Sequence, residues 1–230
     1  SYTHPNFNYS DRSLTTSIQS TSTDKLTDYG YKSSLNAISL GTRYEQYENL
    51  FFSPELSIFL EDLTTNSTAS KQLKKQEGDY TDIYVNYSID HDLRNSRYRP
   101  SSGRKTSFSQ QLPMISDNNE ISNTLVITQY KALNQASDMI GKASLFLKAV
   151  NSLDGSDVRI SKRAYVPYHR LRGFEKNKIG PVDGNDHVGG NYAAALNFET
   201  NLPNLLPDSS NTDVGLFLDI GNVWGVDYDS

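Results

Sequence analysis

The stretch of sequence that decides the fold is Leu50-Phe51-Phe52-Ser53-Pro54-Glu55-Leu56-Ser57-Ile58-Phe59-Leu60-Glu61. Every second residue from Leu50 onward is non-polar, whereas most of the residues between them are polar or charged. A period of two is that of a β-strand, because successive side chains point to opposite faces of a sheet. The same period recurs over 83–90 and 142–149. The sequence therefore predicts strands and not helices.

Alternating patterns separated by turn residues predict nine strands along the chain. They cover 9–22, 31–45, 50–62, 80–91, 104–112, 121–133, 138–150, 190–200 and 213–222. The alternating runs are close to the roughly 9 to 11 residues that a tilted membrane strand needs. No stretch approaches the roughly 20 apolar residues of a membrane helix.

The links between the predicted strands differ in length in an informative way. Those at 46–49 and 134–137 are short, whereas those at 63–79 and 151–189 are long and polar. Barrels of bacterial outer membranes have short periplasmic turns and long external loops, so the long links are expected on the outside. A soluble antiparallel sandwich also alternates and also has regular turns, and it stays open as an alternative.

Composition excludes several kinds of site. A formal net charge of −5 argues against a nucleic-acid partner, which a basic surface would attract. The chain has no cysteine, so disulfides and thiolate metal sites are excluded. No P-loop or Gly-x-Ser-x-Gly motif is present, and the histidines do not share a metal-ligand spacing. We therefore expect no enzyme, no metal and no cofactor. The four histidines are His4, His91, His169 and His187.

Two acidic residues are predicted to face the inside of a barrel. In the last two predicted strands most of the apolar residues occupy one parity, and Glu199 and Asp219 occupy the other. Two carboxylates on one inner wall repel each other and need a counter-charge. Arg172, in the long preceding link, can supply it, because its planar guanidinium can form two parallel hydrogen bonds with a carboxylate.

The residues around this arginine suggest how its loop turns. Gly173 allows a sharp backbone turn because it has no Cβ, and Phe174 is expected to anchor the tip of the loop by packing. The loop at 151–189 would then fold back into the lumen. The predicted functional motif is Leu171-Arg172-Gly173-Phe174.

A resemblance to a known family rests on this motif and on two more, Gly189-Gly190-Asn191 and Asp219 with Gly221-Asn222-Val223-Trp224. Together they resemble the C-terminal half of the outer-membrane β-barrel assembly factor family, the BamA-like surface antigens. The resemblance implies an all-β fold, a partial antiparallel transmembrane barrel with about nine of sixteen strands and a lumen-entering loop. It also implies that Arg172 contacts Glu199 and Asp219, while the glycines, Asn191, Asn222 and Trp224 are structural.

The same resemblance carries expectations about function and extent. It implies an assembly factor in the cell outer membrane of a Gram-negative bacterium, which folds and inserts other β-barrel proteins. Its expected partners are unfolded outer-membrane proteins, outer-membrane lipids and periplasmic assembly lipoproteins. Nine strands would leave two unpaired edges, which hydrocarbon does not tolerate. We therefore expect 1–230 to be an incomplete membrane β-barrel domain, without its POTRA domains and terminal strands.

Other functions stay open at this point. A related two-partner-secretion or translocation-module barrel would export a passenger, although Gly-Gly-Asn and Gly-Asn-Val-Trp favour the assembly factor. A passive porin would use the long loop to constrict a pore. A soluble sugar-binding sandwich would bury Leu56, Ile58, Leu145 and Leu147 between two sheets.

Overall fold

A single ten-stranded antiparallel sheet dominates the computed structural model, which describes residues 1–27, 29–203, 205–206 and 214–227. Strands follow one another in the sheet in chain order, except that β8 pairs with β11. The strands of the sheet are β1 (Tyr2–His4), β2 (Ser13–Lys25), β3 (Tyr31–Tyr47), β4 (Leu50–Thr65), β5 (Gly78–Asp92), β6 (Gly103–Ile115), β7 (Glu120–Ala132), β8 (Ile140–Ser152), β11 (Tyr192–Leu202) and β12 (Val214–Trp224).

The nine predicted strands are all present, as β2 to β8, β11 and β12, and the ten-stranded sheet contains one more. The additional strand is β1, which pairs Tyr2 with Thr16 and is too short to show a period. The predicted first strand also began too early. Residues 6–11 form a tight turn in which Asn6, Asn8 and Asp11 have positive φ angles, so the long strand β2 begins only at Ser13.

The two faces of the sheet differ as the alternation predicts. Leu56 and Ile58 on β4 are 44% and 41% exposed, whereas Ser57 between them is 1% exposed. A sandwich would have covered both apolar side chains with a second sheet, and the described residues form no such layer. One face is therefore an apolar exterior, and the other is an interior that the loop partly covers.

Two connections at one end of the sheet are short, and two at the other end are long. The turn from β3 to β4 is only 48–49, and the β7–β8 link is 133–139. At the opposite end, 66–77 contains a short helix, α1 (Lys71–Lys74), and 153–191 joins β8 to β11. No helix within the described ranges is long and apolar enough to cross a membrane.

The loop at 153–191 lies against the inner face of the sheet and contributes to its apolar core. It holds a 3₁₀ turn, η1 (Tyr168–Arg170), and a small hairpin of β9 (Val182–Asp183) and β10 (Asp186–His187). Its buried side chains belong to two apolar clusters, one against β8, β11 and β12 and one beneath the links 26–30 and 66–77. The loop side chains in these clusters are Val158, Ile160, Ala164, Val166, Leu171 and Val188.

Candidate functional site

The pairing of β11 with β12 builds one half of the candidate site. Asn197 lies opposite Asp219, and Glu199 lies opposite Phe217. All four side chains share the parity of the buried Ala193 and Ala195, because two-residue spacing keeps them on one face. The register therefore gathers two carboxylates and an amide on the interior of the sheet.

Arg172 reaches these carboxylates from the loop, and it contacts both of its predicted partners. Its Nε and Nη2 atoms lie 2.7 Å from the two oxygens of Asp219, and Nη2 also lies 3.0 Å from Oε1 of Glu199. The backbone N–H of Arg172 donates to Asp219 as well, at 3.1 Å. The guanidinium lies over the ring of Phe217, 3.8 Å from its centroid. We refer to Arg172, Asp219 and Glu199 as the Arg172 latch.

Neighbouring side chains make further contacts with the carboxylates of the latch. Asn197 donates to Oδ1 of Asp219 at 2.8 Å, and Lys142 lies 3.0 Å from Oε2 of Glu199. Hydrogen bonding to Asp219 raises the pKa of Arg172, so this side chain remains a cation. Asp219 is almost fully buried, but the side chains of Arg172 and Glu199 are about one-third exposed. Water therefore reaches one side of the latch.

The motif around Arg172 turns as predicted, but it is anchored by a different residue. Gly173 has a φ of 84°, which favours glycine. Phe174 is 61% exposed, so the prediction that it anchors the loop tip was wrong. Leu171, at 5% exposure, packs in the core with Ala193 and Val223. Leu171 therefore anchors this motif by packing, while Phe174 lies beyond the turn.

Gly189, Gly190 and Asn191 form the return of the loop into β11. A Cβ on Gly190 would lie 2.4 Å from the carbonyl oxygen of Trp224, so only glycine fits there. Gly190 also exchanges backbone hydrogen bonds with Ala164, which closes the loop upon itself. Asn191 is buried and donates its amide to Asp227 at 2.6 Å. The predicted strand start at 190 was two residues too early, because this turn intervenes.

The remaining predicted residues lie at the end of β12. Gly221 faces inward and provides space for Leu171, whose Cδ1 atom lies 3.3 Å from the position of a Cβ on Gly221. Asn222 is exposed and accepts the backbone N–H of Val223. Trp224 stacks on Tyr192, with ring centroids 6.0 Å apart. Its exposure on the apolar face matches an interfacial aromatic pair.

A second charged group, which the sequence analysis missed, holds the same loop. The Arg159 guanidinium donates to Glu61 at 3.0 Å and to both oxygens of Asp82 at 3.0 and 3.2 Å. Its backbone N–H donates to Glu120 at 2.6 Å, and its guanidinium lies 3.7 Å from the ring centroid of Tyr80. We refer to Arg159, Glu61, Asp82 and Glu120 as the Arg159 anchor.

The signal for this anchor was present in the sequence. Glu61 and Asp82 occupy the inward parity of β4 and β5, as Glu199 and Asp219 do on β11 and β12. The loop, however, has several other cations before the Gly173 turn, and spacing alone does not select Arg159 among them. These are Lys162, Arg163, Arg170 and Arg172.

The chemistry available at both groups is electrostatic. The carboxylates are engaged by arginine, and the described residues contain no cluster of histidine and acidic side chains that could hold a metal ion. What the arrangement provides is reversible attachment of a loop to a β-sheet wall, by charge-assisted hydrogen bonds.

The sheet is antiparallel, has an apolar exterior and a polar interior, and holds an ion-paired loop inside it. These features define a partial transmembrane β-barrel, which is not closed by the described residues. A family model described as the Omp85 superfamily domain matches residues 1–230. The chain therefore belongs to the Omp85 superfamily. Comparison with curated proteins gives no match.

Among solved structures, the chain is similar to BamA from Haemophilus ducreyi lacking POTRA domains 1–3. The TM-score is 0.82 at 20% sequence identity, and the match covers 97% of this chain and 48% of that one. This likeness shows the fold. The chain spans about half the length of the BamA chain that it matches.

Proposed function

We propose that this chain is part of an assembly factor that folds and inserts β-barrel proteins into the Gram-negative outer membrane. The observation that carries the proposal is the bidentate ion pair between Arg172 of the loop motif and Asp219 on the inner wall. It is the contact that the resemblance implied, in a chain of the Omp85 superfamily. The fold it shares with a BamA structure supports the same conclusion.

The proposed mechanism uses binding and movement, without bond chemistry. An assembly barrel would offer strand edges at a weak seam, where a client strand can pair by β-augmentation. The Arg172 latch would brace β11 and β12 from inside while the wall bends. Because Arg172 and Glu199 remain partly exposed to water, the brace can be broken and re-formed at modest cost.

The proposed location and partners follow from the same surfaces. The exposed apolar side chains of the outer face suit outer-membrane lipid, and the inner face suits water. Unfolded outer-membrane proteins would be the clients, and periplasmic assembly lipoproteins are proposed as accessory partners. On β12 the outward-facing apolar side chains include Leu216, Leu218 and Ile220.

Orientation can be tested by thiol labelling of a full-length protein in which the introduced cysteine is the only one; residues 1–230 contain none. A single cysteine in 66–77 of the full-length protein should react with an impermeant reagent on intact cells. A cysteine in 133–139 should react only after the outer membrane is permeabilised. Equal labelling at both sites would contradict the proposed orientation.

The function itself is tested with the full-length protein in liposomes and a urea-unfolded barrel client. We expect Arg172→Ala to slow client insertion by roughly five- to thirty-fold, the effect of about 1–2 kcal/mol. Lys178→Ala is the matched control, because Lys178 contacts the exposed Glu175 within the loop. Normal client insertion with altered ion conductance would favour a porin, and release of a passenger would favour a secretion barrel.

A further inference from the structure

Two charged groups attach the loop at 153–191 to different strands of the wall. The Arg172 latch joins it to β11 and β12. The Arg159 anchor joins it to β4, β5 and β7. Since β8 lies between β7 and β11 in the sheet, the loop connects two parts of the wall that are not adjacent to each other.

The wall holds the carboxylates of the Arg159 anchor in place independently of the loop. Ser33 on β3 donates to Oε1 of Glu61 at 2.6 Å, and Ser116 donates to Oδ1 of Asp82 at 2.6 Å. These hydroxyls orient the two acids toward the arginine. The wall therefore offers a prepared receptor for one guanidinium.

Backbone contacts add to the side-chain bonds at this anchor. The N–H of Arg159 donates to Glu120, and the N–H of Ile160 donates to Oε1 of Gln76 at 2.7 Å. The hydroxyl of Ser161 donates to the same Glu61 oxygen that Arg159 contacts, at 2.9 Å. Consecutive residues are thus bound through the main chain, which fixes the path of the loop here.

Burial separates the two attachments. The side chain of Arg159 is 0% exposed, against 34% for Arg172. Ile160 packs beside it in an apolar cluster that excludes water from this end of the loop. Water can take over the hydrogen bonds of Arg172 as it leaves, but it cannot do so at Arg159 without opening this cluster. The other members of the cluster are Tyr29, Tyr31, Leu63, Ala69, Leu73 and Val188.

We infer that Arg159 is a positioning residue that fixes the base of the loop to β4, β5 and β7, so that the Arg172 latch opens on a loop whose base stays in place. Opening the latch then removes the ion pairs that join Arg172 to β11 and β12, while residues 158–163 continue to fill the lumen at the end where the links 66–77 and 153–191 lie. The purpose of this movement rests on the proposed function, whereas the order of release rests on the geometry alone.

The test is hydrogen–deuterium exchange of the full-length protein in a lipid bilayer, without client. Two peptides are followed, one over 156–164 and one over 168–176. Arg172→Ala should raise exchange in the second peptide by about tenfold or more and leave the first unchanged, since each peptide reports its own opening. Arg159→Met should raise exchange in both. Lys71→Ala is the control and should change neither, because Lys71 is exposed and lies outside both peptides.

A second readout separates positioning from simple destabilisation. In planar bilayers Arg159→Met should increase ion conductance, because the loop base leaves the lumen, whereas Arg172→Ala should leave conductance near the unmodified value. If Arg159→Met does not fold, Asp82→Asn keeps the shape of the side chain and removes its charge. It should then raise exchange in both peptides.

Two outcomes would overturn the inference. One is an equal rise in both peptides with Arg172→Ala, which would mean that the loop leaves the wall as one unit. The other is a rise confined to 156–164 with Arg159→Met or Asp82→Asn, which would mean that the latch does not depend on the anchor. Failure of client insertion in the unmodified protein would count against the proposed function and leave the exchange result intact.

Discussion

Arg159 and Arg172 belong to the same loop, and the guanidinium of each contacts two carboxylates on the inner wall. The surroundings of the two side chains differ. Arg159 is buried beneath an apolar cluster, whereas Arg172 keeps contact with water. Breaking a buried pair leaves an uncompensated charge and costs about 3–5 kcal/mol, while exposed pairs contribute about 0–1 kcal/mol. The comparison teaches that burial, and not the number of ionic contacts, decides which attachment is permanent.

The charge state of each arginine agrees with this division. At Arg159, burial opposes the charge, but the hydrogen bonds to Asp82 more than offset it and raise the pKa. At Arg172 the hydrogen bonds to Asp219 act first, and burial opposes them weakly. Both side chains therefore remain cations, and the difference between them lies in what replaces the bond once it is broken.

The largest effect is expected from Arg159→Met. It should lower the free energy of unfolding by about 3–5 kcal/mol, because Glu61 and Asp82 stay buried without their counter-charge. Urea titration of the full-length protein measures this change, with the folded fraction read from the heat-dependent shift of its band on a gel. Arg97→Met is the control, since Arg97 is exposed and should change stability by less than about 0.5 kcal/mol. A loss below about 1 kcal/mol for Arg159→Met would remove the distinction between the two attachments.

Introducing an arginine on the outer or the inner face of the sheet tests whether the environment of an arginine decides how much it lowers the free energy of unfolding. Ile58→Arg, on the apolar exterior, should destabilise by about 2–4 kcal/mol if the residue lies near the bilayer midplane. Ser109→Arg should cost much less, because Ser109 is exposed on the interior wall and lines a cavity of about 480 Å³. The same urea titration compares them. The reverse order would mean that the assigned inner and outer faces are exchanged.

A smaller effect is expected at the latch. Arg172→Ala should lower the free energy of unfolding by about 1–2 kcal/mol, because two bonds to a buried carboxylate are lost but water can reach the site. Asp219→Asn should cause a similar loss. The double variant should cost less than the sum, as expected for side chains in contact. Strict additivity in this double-mutant cycle would show that the pair contributes no coupling energy.

The smallest effect is expected at Phe174. Because this side chain is mostly exposed, Phe174→Ala should change stability by less than about 0.5 kcal/mol. Leu171→Ala is the matched control within the same motif, and it should cost about 2–5 kcal/mol because it leaves a cavity in the core. Thermal melting of both variants checks the difference. Equal losses would restore Phe174 as an anchor of the loop tip.

Much of the wall could be predicted from local pattern. The strands β4, β5, β8, β11 and β12 follow from a period of two, and in these strands the period also indicated which side faces inward. Glu199 and Asp219 were placed inside by that argument alone, and the structure has both of them against Arg172. The short β1 escaped notice because three residues cannot establish a period.

The predictions from the sequence were wrong or incomplete mainly in the loop at 153–191, which has no repeating pattern of apolar residues. Phe174 was expected to pack and does not, because loop side chains are oriented by the contacts that the backbone happens to reach. Arg159 was passed over for a related reason. Glu61, Asp82 and Glu120 belong to three strands, and only the folded wall shows that they converge on one residue of a distant loop.

The sequence by itself therefore determined the all-β fold, the inward and outward faces, and the presence of an inner carboxylate pair with a candidate arginine. These properties depend on neighbouring residues and on a repeating pattern, which the chain carries locally. Only the tertiary structure decided which cation reaches which carboxylate and how deeply each pair is buried. Burial arises when segments far apart in sequence pack together, and burial is what makes Arg159 a fixed attachment and Arg172 a releasable one.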